Sequence, residues 1–208
     1  RPGDKLVSIT GAPYDTMQTV IGYANESPGS LKEFGVLYDE LEMIDGKVDM
    51  AGIAGKITPD TKMVLIQRSR GYSMRNPLTI EEIGAICQEV KKVKPDCICF
   101  VDNCYGEFVD TQEPVQAGAD IMAGSLIKNP GGGVALTGGY IAGKSDLVEL
   151  CSYRLTAPGM GDELGASLAN NRMIFQGFFL APHVVAQAIK GAVFAAALFA
   201  LLGYKTLP

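Results

Sequence analysis

The chain has 208 residues, 47% hydrophobic and 20% charged, which is enough apolar material to bury the core of one large α/β domain and rules out a disordered chain. Its 18 basic and 23 acidic residues give a net charge of −5 with no basic stripe, so nucleic acid is excluded as an expected partner. Five cysteines without a CxxC pair and a single histidine exclude a Cys/His zinc set, leave no metal site expected, and read as reduced thiols of a cytoplasmic protein.

Leu6 to Thr10 reads as a short strand broken by Gly11 and Pro13. Asp15 or Thr16 then caps a helix to about Tyr23, which leaves Tyr14 in a strand-to-helix turn. Phe34 to Leu41 is a second strand, and Asp49 opens a short helix ending near Pro59. Lys62 to Gln67 is a continuous apolar strand of the kind covered on both faces. It runs into a loop with three arginines, Arg68, Arg70 and Arg75, each as readily a solvated charge as an anion contact. Thr79 followed by Glu82 is a capping box for a helix to about Val93, stopped by Pro95.

A strand over 97–102 ends on Asp102, with Cys97 and Cys99 on its core side. A second, over 121–125, ends on Ser125, and Lys128 follows just before the glycines at 131–133, whose tight turn is structural in its own right. A strand or hairpin over 133–143 comes next, then helical patterns at 144–152, 162–178 and 183–202, with His183 satisfying the backbone at the start of the last. The apolar run from Gly191 to Gly203 falls short of the roughly 20 residues a membrane span needs, so a buried helix and no membrane contact are expected. No secretory signal opens the chain, and both ends look cut, as in a fragment.

Strands alternating with helices predict a mostly parallel sheet whose strands deliver their carboxyl ends to one edge. Tyr14, the arginine loop, Asp102, Ser125 and Lys128 all follow strand ends, as expected of a ligand crevice in an open α/β sheet.

Two chemistries suit such an edge. In the first, Lys128 joins the aldehyde of pyridoxal 5′-phosphate; a free lysine has a pKa near 10.4 and only about one part in 10³ is the nucleophilic amine at neutral pH, a handicap that covalent attachment removes. Asp102 would hold the pyridine nitrogen protonated, Ser125 would donate to the phosphate, and Tyr14 would stack on the ring. In the second, Gly138 to Ser145 is a literal match to the phosphate-loop pattern of nucleotide-binding proteins, with Lys144 as its lysine. Its interior, Tyr140-Ile141-Ala142, is apolar and β-prone, which weighs against a cradle of amides.

The segments VDNCYGEFVD, GADIMAGSLIKNPGGG and GGYIAGK, with RPGDKLVSITGAPYDT, IQRSRGYS, RLTAPGMGDELGA and FLAPHVVAQAIKGAVFAA, resemble the methionine gamma-lyase-like family often called aluminium resistance proteins, in the Cys/Met-metabolism group of fold type I pyridoxal phosphate enzymes. The resemblance covers nearly the whole chain. It implies the large domain of fold type I, a mostly parallel sheet flanked by helices, over 1–180, with 181–208 a long helix leading to a small domain; the upstream phosphate loop and that small domain are missing.

By the same matching, Lys128 is the cofactor-linking lysine and, with Tyr14, catalytic; Asp102, Ser125, Tyr14 and, from the loop after the KMVLIQ strand, Arg70 hold the cofactor. The implied activity is a carbon–sulfur lyase that removes the α proton of a small amino-acid substrate and eliminates a β or γ thiol, in a homodimer or homotetramer with shared sites; the fragment by itself is expected to bind cofactor weakly. An aminotransferase of the same fold is the alternative within enzymes.

Overall fold

The apolar runs become strands and the 3.6-residue patterns become helices, in a computed structural model that describes residues 1–24, 27–165 and 169–207. The chain forms two compact units, one of residues 1–102 and 114–120, the other of 103–113 and 121–208.

The first unit holds β1 (Lys5–Ser8), α1 (Asp15–Ile21), β2 (Leu37–Glu40), a small hairpin of β3 (Met43–Ile44) and β4 (Lys47–Val48), α2 (Ile53–Lys56), β5 (Thr61–Gln67), α3 (Ile80–Val93) and β6 (Ile98–Asp102). Its main sheet is parallel throughout, in the order β2-β1-β5-β6. Successive side chains leave a strand on opposite faces, so both faces must be apolar here. Leu6, Ile21 and Leu65 make a core cluster on one face with Met17, Leu31, Val36, Tyr38, Met63 and Phe100 packed on it. Val7, Val64, Ile66, Cys99 and Val101, of opposite parity, are buried as well.

Helix α3 begins where the capping box requires: Thr79 Oγ1 accepts from the Glu82 amide and Glu82 Oε2 accepts from the Thr79 amide, at 3.2 and 2.9 Å. Ile80, Ile83, Ile86, Cys87 and Val90 are its buried stripe. At its far end Lys91 donates to Asp120 Oδ2 at 2.7 Å and to the Cys97 carbonyl at 2.6 Å, while Asp120 Oδ2 also accepts from the Cys99 amide at 2.7 Å. This clasp fixes the helix to the start of β6.

The second unit holds β7 (Ile121–Ser125) and β8 (Gly139–Gly143), paired antiparallel, then α4 (Ser145–Leu155) and α5 (Asn171–Leu201). The chain as a whole is a mixed α/β protein with a mainly parallel sheet flanked by helices.

Three expectations change. The strand expected over 34–41 begins only at Leu37, because Gly35 (φ 78°) turns back to Lys32. The helices expected at 162–178 and 183–202 are replaced by a short 3₁₀ turn (Gly161–Glu163) and one 31-residue helix with Pro182 inside it, so His183 sits mid-helix and the boundary drawn at 180/181 falls within α5; residues 166–168 lie outside the described set. A proline lacks one N–H, and the remaining turns of a long helix carry that loss. Finally, α5 is not buried: only 6% of its most apolar window is covered, with Phe175, Phe179 and Phe194 exposed. By length and composition alone this helix is long and apolar enough to cross a membrane. Apolar residues occupy every side of it; Gly177, Ala181 and Val185 are buried, and most of the rest are exposed among the described residues.

Candidate active site

In the first unit β1, β5 and β6 end along one edge, and the register sets Gln67 beside Asp102. The Asp102 carbonyl accepts from the Arg68 amide at 3.0 Å, tying the exit of β5 to the end of β6. Gln67 is the hub. Its Oε1 accepts from the Tyr14 amide at 2.7 Å, its own amide donates to Thr10 Oγ1 at 3.0 Å, and its Nε2 donates to the Ser69 carbonyl at 3.1 Å. Tyr14 is thereby fixed through its backbone while its ring stays 39% exposed. The Tyr14 hydroxyl lies 3.3 Å from that of Tyr72, with ring centroids 5.6 Å apart, so two rings form an aromatic platform.

The three arginines separate by environment. Arg75 is buried and donates to the carbonyls of Asn76 and Gln67, both at 2.9 Å, and of Ser69; it staples the loop, and burial pulls its pKa below the usual guanidinium range against the opposing charge of Glu82. Arg68 is also buried. Arg70 differs, because its Nη1 is buried with no hydrogen-bond partner among the described residues. A buried donor without an acceptor is costly, and this nitrogen has a hydrogen bond still to give.

In the second unit β7 ends on Ser125 opposite Gly139, and the Leu126 amide continues the pairing to the Gly138 carbonyl at 3.0 Å. Lys128, half-buried, donates to Cys104 Sγ at 3.1 Å, and its Nζ lies 5.0 Å from the centroid of the Tyr105 ring. The glycines that follow serve packing. A Cβ on Gly132 would strike the backbone of Gly177 in α5, and one on Gly177 would strike Gly131, so helix and loop meet backbone to backbone.

Segment 103–113 carries a buried polar network. Asn103 is fully buried; its Nδ2 donates to Glu113 Oε2 at 2.9 Å and to the Tyr140 hydroxyl at 3.0 Å. The Tyr140 hydroxyl donates to Glu107 Oε1 at 2.9 Å. Glu107 is 5% exposed, and its Oε2 has no partner among the described residues. Burial pushes the Glu107 carboxyl up from its usual range, while a main-chain N–H, the Tyr140 hydroxyl and the charge of Lys128 pull it down. Burial and the charge of Glu107 likewise push Tyr140 well above its usual value. Tyr105 (φ 68°) and Phe108 (φ 59°) both hold left-handed backbone, a strain of roughly 1–3 kcal/mol each.

Of the residues singled out in the sequence, Tyr14, Arg70 and Asp102 belong to the carboxyl edge of the first unit, and Ser125 and Lys128 to the end of β7 in the second. Gln67, Tyr72, Cys104 and Glu107 were missed. A polar residue closing an apolar strand and a glutamate between Gly106 and Phe108 were the available signals. The phosphate-loop match fails on structure: Gly139–Gly143 is a strand paired with β7, and Lys144 merely precedes α4.

The family profile described as Methionine gamma-lyase matches residues 1–208. The Bacillus subtilis protein YnbB is 52% identical over all of this chain, which spans 50% of that protein. The crystal structure of a carbon–sulfur lyase involved in aluminium resistance from Clostridium novyi is 47% identical, superposes with a TM-score of 0.94, and is matched by all of this chain over 50% of its own length. A cystathionine gamma-lyase from Lactobacillus plantarum, 20% identical with a TM-score of 0.65 over 97% of this chain and 47% of that one, shares the fold. The chain thus spans about half the length of the relatives it matches.

Proposed function

The chain belongs to the methionine gamma-lyase family, and from that premise we propose that it carries the reactive half of a pyridoxal phosphate-dependent carbon–sulfur lyase acting on sulfur amino acids. The observation that carries the reading is Lys128: a half-buried amine held against a thiol and an aromatic face, just after a strand end and just before a glycine turn. A lysine in such surroundings is built for nucleophilic or base chemistry rather than for solubility.

The donor set fits the cofactor. An anionic aromatic aldehyde asks for an amine, a carboxylate, a hydroxyl, a ring surface and a guanidinium, and the unpartnered Nη1 of Arg70 supports the last of these. In this reading Lys128 joins the aldehyde, Asp102 faces the ring nitrogen, Ser125 the phosphate, Tyr14 the ring face, and Arg70 the ring hydroxyl. Bound there, the cofactor supplies an electron sink for the charge left when the α proton departs. Asp102, at the end of β6, would hold a proton on the ring nitrogen through a charge-assisted hydrogen bond worth roughly 1.5–3 kcal/mol. Lys128 would be the base that takes the α proton of the substrate. Tyr14, backed by Tyr72, would support the ring, and the thiol would leave from the β or γ carbon.

The exposed phenylalanines of α5 support assembly into a homodimer or homotetramer with shared sites, and the reduced thiols support a cytoplasmic location. The test is to reduce the full chain with borohydride in the presence of pyridoxal phosphate and to map the peptides. A pyridoxyl adduct on Lys128 is expected, with thiol, ammonia and keto acid released from a sulfur amino acid by the complete protein. An adduct confined to other lysines would overturn the site. Amino-group transfer to a keto acid without thiol release would favour the aminotransferase reading.

A further inference from the structure

Among the described residues, Glu107 is a buried carboxyl whose surroundings go beyond holding the fold together. Its Oε1 takes the Tyr140 hydroxyl at 2.9 Å, its Oε2 is buried and unpartnered among the described residues, and the residue is 5% exposed. Three features of the same unit maintain it there. Tyr105 and Phe108, on either side, hold left-handed backbone that glycine would hold without strain. Gly124 lacks the side chain that would occupy the carboxyl's place, since a Cβ there would fall onto Glu107 Oε1 and within 2.6 Å of the Tyr140 hydroxyl. Asn103, fully buried, donates to that same hydroxyl from behind. Strain on both sides, a missing Cβ and an orphaned oxygen have no packing benefit in common. They do share an electrostatic one, because the segment bearing Glu107 also delivers Cys104 and Tyr105 to the Lys128 amine.

We infer that Glu107 is a positioning residue for Lys128: its buried carboxylate anchors the segment that presents Cys104 and Tyr105 to the amine, and its charge favours the ammonium form of the lysine. A carboxylate held near an amine favours the ammonium over the neutral form, and does so more strongly away from bulk water. Among the described residues Tyr140, Glu113 and Lys128 act electrostatically on Glu107, and the Lys128 amine meets the Cys104 thiol and the Tyr105 ring. Glu113 is the other acid of the network, but both of its oxygens are engaged, by Asn103 Nδ2 and by the Phe108 amide, each at 2.9 Å.

The inference rests on the reading of Lys128 as the reactive amine, and the test keeps the two apart. Reductive methylation of the full chain with formaldehyde and cyanoborohydride, followed residue by residue across pH, reports the free amine without any cofactor. In Glu107→Gln the Lys128 labelling midpoint is expected to fall, with labelling at pH 7 rising about tenfold, as expected for loss of one neighbouring charge. Glu107→Asp should restore part of the wild-type profile. Tyr140→Phe, which removes the donor that favours the carboxylate and leaves the ring in place, should move the midpoint in the same sense by less. It serves as the second variant if Glu107→Gln does not fold. An unchanged midpoint in folded Glu107→Gln overturns the inference, even if pyridoxal phosphate still traps on Lys128. Conversely, a shifted midpoint with no pyridoxal phosphate trapping at Lys128 leaves the coupling standing and removes the lyase reading.

Discussion

The carboxyl of Glu107 and the ring of Tyr140 occupy the volume where a side chain on residue 124 would begin, with Tyr140 Cε1 2.5 Å from that Cβ position. Gly124 is therefore a spatial requirement of the network, and its identity follows from its neighbours. Gly124→Ala should destabilise the fold by about 1–3 kcal/mol, the usual cost of overpacking, as a lower denaturant midpoint at unchanged slope. A midpoint equal to wild type would mean that Glu107 and Tyr140 are not held where they are described.

Asp102 and Lys128 should separate cofactor retention from turnover. Asp102→Asn keeps a hydrogen-bonding side chain and loses the charge, so the complete protein should retain cofactor colour while elimination slows by about 10- to 100-fold, the rate equivalent of 1.5–3 kcal/mol. Unchanged turnover would remove the aspartate from the reaction. Lys128→Ala should abolish the borohydride-stable adduct altogether.

The five cysteines should divide into two groups under iodoacetamide. Cys87, Cys97 and Cys99 are buried; desolvation pushes the Cys97 thiol up to about 11, and its contact with Cys87 together with burial raises Cys99 further. Cys104 and Cys151 are only half-covered. Alkylation of the native protein at pH 8, read by mass spectrometry, should therefore mark Cys104 and Cys151, with the other three appearing only on unfolding. A carbamidomethyl group on Cys104 would crowd the Lys128 amine, and trapping at Lys128 should fall with it.

Asp120→Ala should be among the more damaging substitutions in the first unit. The carboxylate is 4% exposed, pairs with Lys91 and caps the Cys99 amide, so its loss takes the counter-charge from a part-buried ammonium and the side-chain acceptor from a buried N–H. A destabilisation of about 3 kcal/mol is expected from thermal or chemical unfolding, since breaking a buried pair costs more than the pair contributes.

Where a residue's structural role is set by near neighbours in the chain, the sequence was enough. The capping box at Thr79 and Glu82, the apolar run that became β5, and the strands ending on Asp102 and Ser125 all depend on periodicity and local hydrogen bonding. The hairpin at Asp45-Gly46 was legible in the same way, as a dipeptide suited to two left-handed residues, and was passed over. What sequence reasoning missed depends on partners far along the chain. Pro182 looked like a helix start because proline breaks short helices, and only the length of α5 absorbs it. Gln67 becomes a hub only when Tyr14 arrives from 53 residues upstream. Glu107 acquires its character from Tyr140 and Gly124, neither of which its local sequence announces.

The backbone contact between Gly177 of α5 and the turn at Gly131 and Gly132 has a mechanical meaning. Side chains between two elements act as a cushion that can change rotamer; two glycine backbones in contact have none, and a close-packed interior hardly compresses. A slide of α5 by a fraction of an ångström is thus passed undamped to a loop that begins one residue after Lys128. The loop that follows the lysine and the helix at Gly177 therefore keep one common position.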